Sequence, residues 1–151
     1  MQKLTEKFEV ILTNFDKSIN SNIFGLNYLE LLKIELIEKL NTTETNFFND
    51  LKKDIKDKKN ITNSLKLDNK TISYGFHFYE KSLSTIKQKE KSDQLIIVLE
   101  GLDSVTIYDK NNLNKNIFSD LTKNMGLTVS VDTFTTSKIT DKSIILSISF
   151  N

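Results

Sequence analysis

Apolar residues recur along this chain at two periods, and the change between them falls near residue 60. Leu4, Phe8, Ile11, Leu12 and Phe15 lie three or four apart, which sets them on one helix face. Gly25 interrupts that pattern. The segment NYLELLKIELIEKL then places Leu29, Leu32, Leu36 and Leu40 on one stripe, with Ile37 beside it. Glu35 and Lys39 can pair one turn apart on the other side, and the helix is expected to stop near Asn41. Phe47, Phe48, Leu51 and Ile55 mark a further amphipathic run, which ends in the charged DIKDKKN. These stripes need cover, either from the second half of the chain or from a partner subunit.

From Leu65 onward the period is two. In TISYGFHFYE, Ile72, Tyr74, Phe76 and Phe78 share one face, while Thr71, Ser73, Gly75, His77 and Tyr79 share the other. SLSTIKQKEK, DQLIIVLE and SVTIYD follow. A polar Asn-rich loop is expected over 110–116, and then come GLTVSVDTF and SIILSISF. Asn, Asp, Gly and Ser punctuate the runs, and no long helical pattern separates them. The pattern predicts a mainly β, mainly antiparallel barrel or sandwich at 61–151, with a helical N-terminal extension at 1–60 packed on it or on a partner. Neither half has an obvious linker, so one domain is expected.

Composition narrows the chemistry. The chain has 151 residues, 38% of them hydrophobic and 27% charged, as expected for a globular protein with one substantial core. It has no cysteine, which excludes disulfides, thiolate nucleophiles and cysteine metal sites. The start of the chain is a poor export signal and no apolar run approaches a bilayer span, so a cytoplasmic protein with no membrane partner is expected. The triplets at Asn41, Asn60 and Asn69 are then chance in an Asn-rich chain rather than glycosylation sites. The formal charge is +1, from 21 basic and 20 acidic residues. Every basic residue is a lysine, so bidentate guanidinium contacts to bases are absent. Lys52, Lys53, Lys56, Lys58 and Lys59 cluster, but Asp50, Asp54 and Asp57 sit among them. That reads as a solvated helix face, with no nucleic-acid partner.

The run DQLIIVLEGLDSVTIYD resembles the first motif region of the cupins, the double-stranded β-helix family. Gln94 stands where that family carries a carboxylate or amide ligand, and Gly101 at its turn. The run MGLTVSVDTFTTSKITDKSIILSIS is similar to the second motif region, most of all in the sugar-nucleotide ketoisomerase-like branch. There Gly126 matches the leading glycine, Phe134 an aromatic and Thr135 a histidine. The resemblance covers residues 70–150 or so and implies a cupin-like double-stranded β-helix barrel. The family's metal histidines would fall on Gln88 and Glu90, or on Lys87 and Lys89 one residue away; neither pair contains a histidine. Gln88, Glu90, Gln94 and Thr135 offer one carboxylate and neutral oxygens, a poor set for a first-row metal. No metal and no cofactor are therefore expected.

His77 is the single histidine. Near its reference pKa it could serve as acid or base, given a partner such as Glu80, Glu90 or Asp132 to set its tautomer; equally it could be a structural histidine bonded across strands. Tyr79 and Tyr108 have amphipathic rings suited to a sugar or other small polar ligand, or to plain strand packing. Glu90 reads either as a turn charge or as a catalytic partner of His77. Glu100 is expected to point outward at a strand end, Gly101 to be structural, and Asp132 and Thr133 to satisfy local backbone in a turn. No phosphate loop, nucleophile elbow, HExxH helix or EF-hand is present. Two functions follow. One is a cupin-like protein without a standard metal site. It would bind a small polar or carbohydrate-like ligand at Tyr79, Gln88, Gln94, Tyr108 and Thr135, or serve as an assembly module and homodimer. The alternative is a metal-independent acid–base isomerase or lyase using His77 and Glu90.

Overall fold

The structure, a computed structural model, describes residues 3–42, 45–109, 111 and 115–150. Three helices come first: α1 (Leu4–Ser18), α2 (Gly25–Leu40) and α3 (Thr45–Lys58). Ten strands follow: β1 (Asn60–Lys66), β2 (Thr71–Tyr79), β3 (Leu83–Ser84), β4 (Gln88–Lys89), β5 (Asp93–Glu100), β6 (Asp103–Tyr108), β7 (Asn116–Leu121), β8 (Met125–Val129), β9 (Phe134–Ile139) and β10 (Ser143–Phe150). The first sheet runs β1-β2-β10-β5-β8, and the second runs β3-β9-β6-β7 with β4 also paired to β9. All the pairs are antiparallel.

Neither sheet closes into a barrel. The first ends at β1 and β8, and the second at β7 and the short β3 and β4. The expected mainly β, double-stranded β-helix barrel is thus corrected to a mixed fold of three helices and two open sheets. The edge strands explain why. β1 (NITNSLK) is polar and exposed along most of its length, and β7 keeps most of its side chains in water, so neither offers a buried seam for closure. Among the described residues no helix is long and apolar enough to cross a membrane. Of the polar loop expected over 110–116, residues 110 and 112–114 lie outside the described residues, while Asn116 already opens β7.

The helical stripes cover one face of the first sheet. Phe8, Leu12 and Phe15 of α1 join Leu29, Leu32, Leu36 and Leu40 of α2 and Phe48, Leu51 and Ile55 of α3 in the main core. Beneath them lie Ile72, Tyr74 and Phe76 of β2, Leu95, Ile97 and Leu99 of β5, and Ile144, Leu146 and Ile148 of β10. Phe8 meets Tyr74 and Phe76 edge-on, at centroid distances of 5.2 and 4.9 Å. α2 stops at Asn41, whose N–H donates to the Ile37 and Glu38 carbonyls. Lys59, at φ 71, turns the chain out of α3 into β1.

The other face of the first sheet packs on the second sheet around a smaller core of Val98, Val105, Leu121, Ile139 and Ile145. β5 and the first half of β10 are therefore covered on both sides, which is why LIIVL and IIL read as continuous apolar runs. β10 lies between β2 and β5 at the centre of its sheet. A buried ion pair ties α1 to the β1–β2 hairpin: Lys70 Nζ lies 2.9 Å from Asp16 Oδ1, with side chains 2% and 7% exposed. Tyr28 donates its hydroxyl to the same oxygen at 2.9 Å. Burial, then the bond to Asp16, pushes the Tyr28 phenol far above its ordinary range.

Candidate binding site

The face of the first sheet turned away from the helices changes character along its strands. At one end it is apolar, with Val98 and Ile145. At the other, alternation brings Ser73 and Gly75 of β2 beside Ser147 and Ser149 of β10 and Thr62 and Ser64 of β1, with His77 at the boundary, paired with Ile145. The register aligns Ser64, Ser73, Ser149 and Gln94 in one row across four strands, and Thr62, Gly75 and Ser147 in the next. All of these but Gln94 line an open groove of about 510 Å³. The hydroxyls of Ser64 and Ser73 bond across the strands at 3.1 Å.

His77 lines this groove, half-buried. Its Nδ1 lies 2.5 Å from Asn60 Oδ1 on β1. Asn60 therefore takes the orienting position for which the sequence suggests Glu80, Glu90 or Asp132. Glu80 pairs instead with Lys59 at 2.6 Å, and Asp132 with Lys89 at 3.5 Å. Burial lowers the pKa of His77 below its ordinary value, which favours the neutral ring at pH 7. Gly75 makes room for the ring, since a Cβ there would lie 2.7 Å from His77 Nε2.

Beyond the groove, Glu90 joins two other residues singled out from the sequence. Thr135 Oγ1 donates to Glu90 Oε1 at 2.8 Å, and Gln94 Nε2 donates to Glu90 Oε2 at 3.1 Å. β4 and β9 set up this meeting by pairing Gln88 with Thr135. The strand is continued by Glu90 N–H donating to the Thr133 carbonyl and Asp132 N–H to the Glu90 carbonyl, both at 2.9 Å. Gln88 itself is exposed. Gln94 pairs in register with Ser149, so the cluster adjoins the hydroxyl row.

The remaining candidates lie elsewhere. Tyr79 shares the face of His77, with ring centroids 6.3 Å apart, but it packs on the small inter-sheet core. Burial raises its pKa, and the nearby Asp103 raises it further. Tyr108 pairs with Phe134 on β9, one position out of phase with the Ile107–Thr135 pair, and so occupies the opposite face of the second sheet. There Lys87 Nζ stands 4.0 Å over its ring. Glu100 forms an ion pair with Lys56 of α3 at 3.1 Å, where a register shift interrupts the β5–β10 ladder. His77 and Glu90 are not bonded to each other. His77 pairs with Ile145 and Gln94 with Ser149, a separation of about 13 Å along β10 at the usual strand rise.

Sequence reasoning missed the serines of β10, although SIILSISF carries the signal: Ser147 and Ser149 alternate with Leu146 and Ile148. It also missed Asp103. That carboxylate is 2% exposed between the sheets, and its Oδ1 has no hydrogen-bond partner among the described residues. Burial lifts its pKa to about 6, against a smaller lowering by a hydrogen bond from Ser137. Among the described residues no three His, Cys, Asp or Glu side chains gather as a metal site would require.

No family model matches the chain. No curated protein matches it in sequence. Solved structures do resemble it at a distance. The Drosophila melanogaster CENP-C structure bound to CAL1 is 13% identical with a TM-score of 0.47, over 60% of this chain and 76% of that one. A cupin superfamily protein from Desulfitobacterium hafniense is 16% identical with a TM-score of 0.45, over the same shares. An oxalate decarboxylase variant from Bacillus subtilis is 10% identical with a TM-score of 0.49, over 55% of this chain and 22% of that one. The chain is thus distantly similar to cupin-superfamily structures, without the ketoisomerase-like branch being singled out. At these scores the likeness assigns a role to no residue.

Proposed function

We propose that this protein binds a small polar or carbohydrate-like molecule in the hydroxyl-lined groove of its first sheet, without a metal. One observation carries the reading. On an otherwise apolar sheet, the polar positions of β1, β2 and β10 converge on one open groove, and Gln94, in register with Ser149 of that groove, ties it to the adjoining Glu90–Gln94–Thr135 cluster. Polar side chains at strand centres forgo burial, and their hydroxyls can exchange hydrogen bonds with a ligand that offers several of its own. Gln94, Thr135 and Glu90 would then hold one end of the ligand. An acid–base reaction through His77 and Glu90 would need a substrate long enough to span both.

Saturation-transfer NMR on metal-stripped protein, with a panel of monosaccharides and polyols, tests this. Binding should survive a chelator and be lost in Thr62→Trp, which fills the groove from an exposed position on an edge strand. Binding that persists in that variant, or that needs added Mn²⁺, refutes the reading. An assembly role for a second copy is favoured by β7, an edge strand carrying Ile117 and Phe118 at 67% and 63% exposure. Sedimentation should then give a dimer that Phe118→Lys dissociates; a monomer at all concentrations refutes it.

A further inference from the structure

We propose that His77 acts in this groove as a fixed hydrogen-bond acceptor, so that the groove takes uncharged or amino-bearing polyhydroxyl compounds and rejects carboxylates and phosphates. This rests on the groove being a binding site, and it adds which chemistry the site selects. An amide oxygen can only accept, so with Asn60 Oδ1 facing the ring at 2.5 Å we assign the proton of the neutral ring to Nδ1. The Nε2 lone pair is then left over Gly75, which has no side chain of its own, with the Thr62 methyl alongside. Burial holds the ring neutral at pH 7.

The other groups of the site fit the same polarity. The serine and threonine hydroxyls rotate to donate or accept as a ligand requires. Of the groups that cannot adapt, the Nε2 lone pair accepts and the Asn63 amide is already donating to Glu9, while the Glu90 carboxylate beyond the groove accepts from Thr135 and Gln94 and adds negative charge nearby. Among the described residues no lysine lines the groove. A ligand must therefore bring donors, meaning hydroxyls or an amine. An anion would place its oxygens against a lone pair and a carboxylate with no cation to offset them. The titratable neighbour of the ring is Tyr79, with Asp103 beyond it; β1 and β10 present Asn60, Thr62, Ile145 and Ser147. Lys59, next to Asn60, is turned away to Glu80. Protonation of His77 would convert Nε2 from acceptor to donor, so binding of a hydroxyl donor falls as the pH drops through the titration of the ring.

The experiment labels the single histidine with ¹⁵N and records its ring shifts during titration with glucose, glucosamine and gluconate. At pH 7 the free protein should show the Nδ1–H tautomer. Glucose and glucosamine should move the Nε2 resonance and gluconate should not. Glucose affinity should fall about five- to tenfold once the ring is protonated. Asn60→Asp keeps an acceptor at Nδ1 and should hold the tautomer while moving that loss to higher pH. Asn60→Leu should mix the tautomers and weaken glucose binding. A proton on Nε2 in the free protein, or gluconate binding more tightly than glucose, overturns the assignment of His77 and leaves the groove standing. Failure of all three probes to bind a protein with the expected tautomer overturns the groove itself, and the ligand class with it.

Discussion

Replacing Lys70 with methionine isolates the worth of a charge in the main core. The substitution keeps a linear apolar stem of similar length where Lys70 now lies against the rings of Phe24 and Tyr28, at 5.5 and 5.2 Å. What disappears is the ammonium 2.9 Å from Asp16 Oδ1. The carboxylate left behind is 7% exposed, and the hydroxyl of Tyr28 remains on it. One neutral donor does not compensate a charge removed from water, so the cost is about 3–5 kcal/mol. That is a large part of the roughly 5–15 kcal/mol available to a domain of this kind. Urea unfolding followed by circular dichroism should show a lower midpoint at unchanged slope, and melting should fall by roughly 6–20 °C. The double variant Asp16→Leu/Lys70→Met removes both charges but strands the buried Tyr28 hydroxyl, so it should recover to within about 1–3 kcal/mol of the parent. A loss below about 1 kcal/mol in Lys70→Met would refute the reasoning, because it would mean that water reaches the pair. A double variant as damaged as the single one would refute it too, by assigning the effect to packing.

Asp103 should make the protein less stable as pH rises. Its folded pKa of about 6 lies above the ordinary 3.8, so its contribution is intact below pH 4 and is lost through pH 6, up to about 3 kcal/mol in all. Asp103→Asn should flatten the stability profile between pH 4 and 7, and an unchanged profile from urea titrations would count against a buried carboxylate. Gly101 has φ 89, and a Cβ there would run into Ser143, whose hydroxyl accepts from Leu102 N–H at 3.2 Å. Gly101→Ala should cost about 3 kcal/mol or more by thermal melting, and a neutral result would mean the β5–β6 turn can relax. Phe8→Ala should cost about 3–5 kcal/mol, because Phe8 fills the space between α1 and the aromatic face of β2. A loss under about 1 kcal/mol would show that α1 is not held by that packing.

Much of this arrangement was written in the periodicity. The stripes of α1, α2 and α3 repeat at helical spacing because one face alone meets the sheet. The alternation in TISYGFHFYE correctly divides Phe76 from His77 because β2 is pleated between two different environments. The Glu90, Gln94 and Thr135 cluster was legible residue by residue, but its assembly depends on β4 meeting β9 across more than forty residues, which no local pattern encodes. β1 was unreadable for a different reason. NITNSLK lies on an edge with little to bury, so it carries no alternation, and only the ladder to β2 makes it a strand. β7 is hidden in the same way. With one edge of each sheet hidden, a closed sheet was the natural expectation, and those polar edges are what overturn it. Asn60 was passed over because an amide partner for a histidine leaves no mark in charge or hydropathy.

The position of β10 constrains how the molecule can be made. It occupies the middle of the first sheet yet follows in the chain every element it joins, including the helices that rest on it. While the polypeptide is being synthesised, α1 to α3 and strands β2 and β5 emerge with their shared apolar surface unfinished, and that surface stays open until residues 143–150 leave the ribosome. Nascent chains halted before that point should thus depend on chaperones, and tolerance of stop codons within β10 should be abruptly lower than tolerance of substitutions there.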